Sequence, residues 1–190
     1  MVETLIFEMA TQMRGAPPDV PLASGIRLDN LTEGDDRPMF VTLQIGESGA
    51  RSRNDREYPH EVEAKVVAAI NEQRVGGIRG HLRDDQRGTA HPEMVWRWVG
   101  ATMDEQGRVW GKAYVLPTQA QAREEIRTAM AANARIGTSR YATGTIDDEG
   151  MVEADTYQLE GIDYVHEARV GIPVTSVVPK ITSETEIEGN

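Results

Sequence analysis

The sequence predicts a single α+β domain in which short strands outnumber helices, and three observations carry that expectation. From Met39 to Ile45 the side chains alternate, with Met39, Val41, Leu43 and Ile45 on one face and Thr42 and Gln44 on the other. That is the period of a half-buried strand. From Tyr58 to about Gln73, Val62, Val66, Ala69 and Ile70 make an apolar stripe at helical spacing, which Gly76-Gly77 stops. Two pairs of strand-like segments flank the turn-forming clusters Asp104-Glu105-Gln106-Gly107 and Asp147-Asp148-Glu149-Gly150, the pattern of antiparallel hairpins.

The remaining elements follow in order. Leu5 to Met9 reads as a first strand, and the Pro- and Gly-punctuated stretch from Gly15 to Gly34 as irregular. Pro59 suits the opening of the first helix, because the N–H it lacks would have no intrahelical partner there. Ile78 to Leu82 reads as a strand and Arg83 to Ala90 as a polar loop. The hairpin of Val95 to Met103 and Val109 to Leu116 carries Trp96, Trp98 and Trp110, read as core packing rather than a ligand platform. Thr118 is placed to cap a second helix from Gln119 to about Asn133, with Ala122, Ile126, Ala129 and Met130 inward. Ile136 to Thr145 and Met151 to Val165 form the last hairpin. Residues 1–178 are assigned to the domain. Residues 179–190, with Glu184, Glu186 and Glu188 and no aromatic residue, are assigned to an acidic, mobile tail.

Composition narrows the function. The 190 residues carry 20 Lys and Arg against 31 Asp and Glu, a net charge of −11, with no basic cluster to hold a phosphate backbone. Nucleic acid is therefore not an expected partner. Cysteine is absent, which excludes disulfides, a thiolate nucleophile and thiolate-held zinc. The first residues lack the basic-then-apolar plan of a signal peptide, and no segment stays apolar for the roughly 18 residues of a membrane span. The expectation is a soluble protein that is not exported and has no membrane partner.

Candidate chemistry centres on Ser139, in the run Arg135-Ile136-Gly137-Thr138-Ser139-Arg140. A serine hydroxyl is a poor nucleophile unless a base takes its proton and a third group orients that base. His81 lies upstream and Asp163 downstream, and His91 is a second candidate base. Strand parity puts Gly137, Ser139 and Tyr141 on one side and Thr138 and Arg140 on the other. The backbone N–H of Arg140 is a candidate oxyanion donor, with its guanidinium adding positive potential. Asp163 lies among apolar residues, where a carboxylate needs a hydrogen-bond partner. Asp84 and Asp85 near His81 and His91 have no defined ligand spacing and read as a solvated loop rather than a metal site.

From about Met39 to Val178 the sequence resembles the prohead, or capsid maturation, proteases of tailed bacteriophages, especially the myovirus type, which are related to the herpesvirus assemblins. The resemblance rests on Arg53-Asn54 followed by Tyr58-Pro59, Ala69-Ile70-Asn71-Glu72-Gln73, Gly80 with Leu82, and Val109-Trp110-Gly111-Lys112-Ala113. It rests above all on Ile136-Gly137-Thr138-Ser139-Arg140, similar to the family's nucleophile strand, and Leu159-Glu160-Gly161-Ile162-Asp163-Tyr164-Val165, similar to the strand of its third catalytic residue.

That resemblance implies a mostly antiparallel β-barrel surrounded by a few helices, and a serine endopeptidase using Ser139, His81 and Asp163. His91 is the alternative base, Arg140 supports the oxyanion, and no cofactor or metal is required. Its implied partners are the phage scaffold and major capsid proteins, cut along with the enzyme itself inside the prohead in the host cytoplasm, and a homo-oligomer is left open. The alternative is a non-catalytic internal scaffold that keeps the protease fold. Two departures motivate it: Asp84 falls where a Gly-x-x-x-His-Pro pattern registered on Gly80 would have histidine, and Arg140 and Tyr141 follow Ser139 directly where the family commonly has a second small residue and a glycine after the arginine.

Overall fold

A computed structural model describes residues 4–10, 17–52, 54–80, 92–132, 134, 136–165 and 180–182. In chain order they form β1 (Thr4–Ala10), α1 (Leu28–Thr32), β2 (Met39–Glu47), α2 (His60–Asn71), β3 (Gly76–Ile78) and β4 (Met94–Met103). β5 (Arg108–Val115), α3 (Ala120–Ala131), β6 (Gly137–Gly144), β7 (Gln158–Val165) and β8 (Lys180–Thr182) follow. All eight strands join one sheet in the order β1-β6-β7-β3-β4-β5-β2-β8. Every neighbouring pair is antiparallel except β3 and β7. The sheet curls into a half-barrel, bringing Cα atoms of β1 within 8 Å of β2 although five strands separate them in the order. The α+β, mostly antiparallel barrel-like architecture expected from the sequence is the one observed.

The hydrophobic pattern explains the layers. Val62, Val66, Ala69 and Ile70 of α2 are buried with Val41, Leu43 and Ile45 of β2, Trp96 and Trp98 of β4 and Ile162 of β7 in one core. Each such side chain withdrawn from water contributes roughly 1.5–3 kcal/mol before entropy is counted. β2 was expected to be half-buried, yet Phe40, Thr42 and Gln44 on its second face are buried too. Phe40 joins Val99 and Tyr114 in a second cluster, packed against Leu22, Ile26, Leu28 and Leu31. The stretch expected to be irregular thus supplies a short helix, α1, that seals the outside of the sheet.

Other boundaries shift for local reasons. Pro59 is the N-cap of α2, and its carbonyl accepts from the N–H of Val62 at 3.0 Å. Thr118 does not cap α3. The chain turns at Leu116, whose carbonyl accepts from the Gln119 N–H at 3.0 Å, and Gln119 becomes the N-cap with no side-chain bond. The final strand is shorter than expected, because Ala154 to Tyr157 turn before β7 begins. Lys180–Thr182, within the segment assigned to the tail, pairs along the edge of β2. Residues 183–190 lie outside the described ones.

Two buried ion pairs tie these layers together. Arg140 of β6 reaches across the interior, donating from Nη1 to Glu63 of α2 at 3.0 Å and from Nη2 to the Ile45 carbonyl of β2 at 2.7 Å. Burial would lower the guanidinium pKa, but the Glu63 carboxylate outweighs it and holds the value above its ordinary level. The contact demands glycine at Gly46, where a Cβ would lie 1.7 Å from Arg140 Nη2. The second pair joins Arg123 of α3 to Asp35, which also accepts from the Tyr114 hydroxyl at 2.6 Å.

Stripping one partner from a buried pair leaves an uncompensated charge. Glu63→Ala is therefore expected to lower stability by about 3–5 kcal/mol, read from the urea midpoint. Asp35 is held down at about 2 from an ordinary 3.8, chiefly by the hydrogen bond from Arg123, against a burial that raises it. A carboxyl depressed in the fold stabilises fully above its ordinary value and loses that contribution as pH falls through the depressed one. Stability should drop by about 2 kcal/mol on this group's account between about pH 4 and pH 2. Asp35→Asn should flatten that part of the acid limb in urea midpoints taken across the range.

Candidate active site

The β6–β7 ladder places Ser139 opposite Asp163 and Tyr141 opposite Gly161. Directly opposed residues on antiparallel strands share a face with Cβ atoms about 4.5–5.5 Å apart, so Ser139 and Asp163, distant in sequence, become neighbours. Both are buried, Ser139 wholly and Asp163 to 5% exposure. The Asp163 carboxylate accepts from the backbone N–H of Ile78 at 2.9 Å. Of the residues singled out in the sequence, these two are brought together.

Beside them is a cleft of about 320 Å³, walled by the backbone of β3 with Tyr141, Gly161 and Asp163, and by Pro92. His81 and His91 lie outside the described residues, as do Asp84 and Asp85. Their described chain neighbours are both close to this site. The N–H of Gly80 donates to the Tyr164 carbonyl at 2.7 Å, one residue from Asp163, and Pro92 lines the cleft. Arg140 differs from expectation in one respect: its guanidinium extends to Glu63 and Ile45, on the face of β6 opposite to Ser139. Its charge is not directed at the serine.

A polar cluster borders β3 and β7. Glu125 of α3 accepts from Arg79 at 2.8 Å and from the Tyr164 hydroxyl at 2.9 Å. Burial pushes the Tyr164 hydroxyl up, and the adjacent Glu125 adds to the effect. Burial alone would raise the Glu125 carboxyl, but the bonds from Arg79 and Tyr164 hold it below its ordinary value. α3 is thereby fastened next to the exit of β3.

Sequence reasoning missed three contributors here: the Ile78 N–H and the indole N–H groups of Trp96 and Trp98, which donate to the Ile162 carbonyl at 2.8 and 3.0 Å. The tryptophans are fully buried, as the core reading expected. Their polar role depends on the placing of β3, which no local pattern encodes. Among the described residues, no cluster of His, Asp or Glu is suited to hold a metal ion. No helix among them is long and apolar enough to cross a membrane.

No family model matches the sequence, and no curated protein matches it. Among solved structures, the chain is similar to the bacteriophage T4 capsid assembly protease, gp21, with a TM-score of 0.61 and 19% identity. The match covers 86% of this chain and 98% of that one. The chain therefore has the fold of a bacteriophage capsid assembly protease.

Proposed function

We propose that this protein is a serine endopeptidase that cleaves scaffold and capsid proteins, and its own chain, during phage head maturation inside the host cell. The observation that carries the reading is the cross-strand pairing of Ser139 with Asp163 beside an open cleft, on a fold shared with a capsid assembly protease. In this reading the Ser139 Oγ attacks the scissile carbonyl. His81, or alternatively His91, takes the hydroxyl proton and returns it to the leaving amine. Asp163 orients the imidazole and stabilises its charged form. The Arg140 N–H receives the developing oxyanion. Arg140 lies in register with Glu8 on one side and Ile162 on the other, so this donor serves only if it leaves the ladder when substrate binds.

One observation favours a second reading. Ser139 has no exposed surface, which suits an internal scaffold that keeps the fold without the activity.

A fluorophosphonate probe and intact-mass spectrometry on the full chain separate the two. The peptidase reading expects label on Ser139 and progressive self-truncation, both reduced by about 10³-fold or more in Ser139→Ala. His81→Ala and His91→Ala, made separately, should give one variant as inactive as Ser139→Ala and one close to the unaltered chain. An unlabelled protein whose mass stays constant on prolonged incubation would leave only the scaffold.

A further inference from the structure

The parallel pairing of β3 with β7 is broken at one rung. Gly76 pairs with Gly161 and Arg79 bridges to Tyr164, so both ends of the segment keep the same offset. A ladder continued between them would give the Ile78 N–H to the Ile162 carbonyl, following the Gly80 N–H that goes to the Tyr164 carbonyl. The Ile78 N–H goes instead to the Asp163 side chain at 2.9 Å. The Ile162 carbonyl, which would otherwise be a buried acceptor without its partner, takes the indole N–H groups of both Trp96 and Trp98. Such an acceptor is costly to leave unfilled. The exchange also dictates Gly77, where a Cβ would lie 2.1 Å from both the Ile162 oxygen and Trp96 Nε1.

We infer that Trp96 and Trp98 are positioning residues: by occupying the Ile162 carbonyl they release the Ile78 N–H to fix the Asp163 carboxylate toward the site. The inference rests on the peptidase reading above. The two rings brace each other edge to face, with centroids 5.3 Å apart, and Trp96 packs the same way on Tyr164 at 5.4 Å. The donors are thus held rigidly. A carboxylate held by a strand N–H keeps a set direction, as the orienting member of a triad requires.

The test joins two readouts on the full chain. In ¹⁵N-edited NMR spectra, the Ile78 amide of the unaltered protein should move on Asp163→Asn substitution, as the direct donor to that side chain. With both Trp96→Phe and Trp98→Phe the amide should return to the Ile162 carbonyl and no longer respond to Asp163→Asn. Fluorophosphonate labelling of Ser139 should then slow by about 10-fold or more, since small misplacements of reacting groups have effects of that size. Trp110→Phe, whose indole donates to Asp104, removes the same ring mass elsewhere and should change neither readout. If the double variant fails to fold, Trp98→Phe alone, which leaves the Trp96 indole on the carbonyl, should move both readouts in the same direction by a smaller amount. A folded variant whose Ile78 amide still responds to Asp163→Asn, or which labels at the full rate, overturns the positioning role alone. An unaltered chain that takes no label overturns the peptidase reading, and the positioning role with it.

Discussion

The architecture turns on a charge placed where water cannot reach it. Arg140 projects from β6 into the interior and is satisfied by Glu63 of α2 and by the Ile45 carbonyl of β2, with the Tyr58 ring 5.3 Å from its guanidinium. A guanidinium cannot shed its proton to escape burial, so these partners must be in position whenever the fold is formed. The contact fixes the distance between β6 and β2, which the curl of the sheet brings face to face. It also fixes the register of the residue next to Ser139. What stabilises the fold and what arranges the candidate site are therefore adjacent on one strand and separated only by the alternation of its faces.

The site is assembled from strand pairing more than from loops. Ser139 and Asp163 meet because β6 and β7 are in one register, and the carboxylate is held by β3, which separates β7 from β4 in the sheet. Groups fixed on strands keep their geometry better than groups on loops. The likeness to a capsid assembly protease concerns this same framework: at 19% identity few side chains are shared, and the path of the backbone is what persists.

Much of the framework was legible because hydrophobic period is a local signal. The stripe of α2, the alternation in β2 and the turn cluster at Asp104 to Gly107 each declare an element within a dozen residues. Other features depend on distant ones. The turn cluster at Asp147 to Gly150 marks a hairpin without its register, which the further turn at Ala154 to Tyr157 and a bulge after Tyr141 set so that Ser139 comes opposite Asp163. The same face was read correctly for Ser139 and Tyr141, because parity within one strand needs no partner. α1 escaped notice because five residues make little pattern, and it gains order from the cluster of Phe40, Val99 and Tyr114 that it covers. The interior role of Arg140 was hidden as well, since nothing near it in sequence points to Glu63.

The three residues of β3 have a consequence for how the molecule comes into being. They pair with β4 some twenty residues on and with β7 eighty-five residues on, the latter being the one parallel pairing among the described strands. Contacts that close such long loops form slowly, and on a chain emerging from the ribosome β7 is the last of the long strands to appear. The cleft wall formed by Gly161 and Asp163 does not exist before β7 docks. An incompletely synthesised chain thus lacks the cleft, and the timing of any activity there is set by the completion of folding itself.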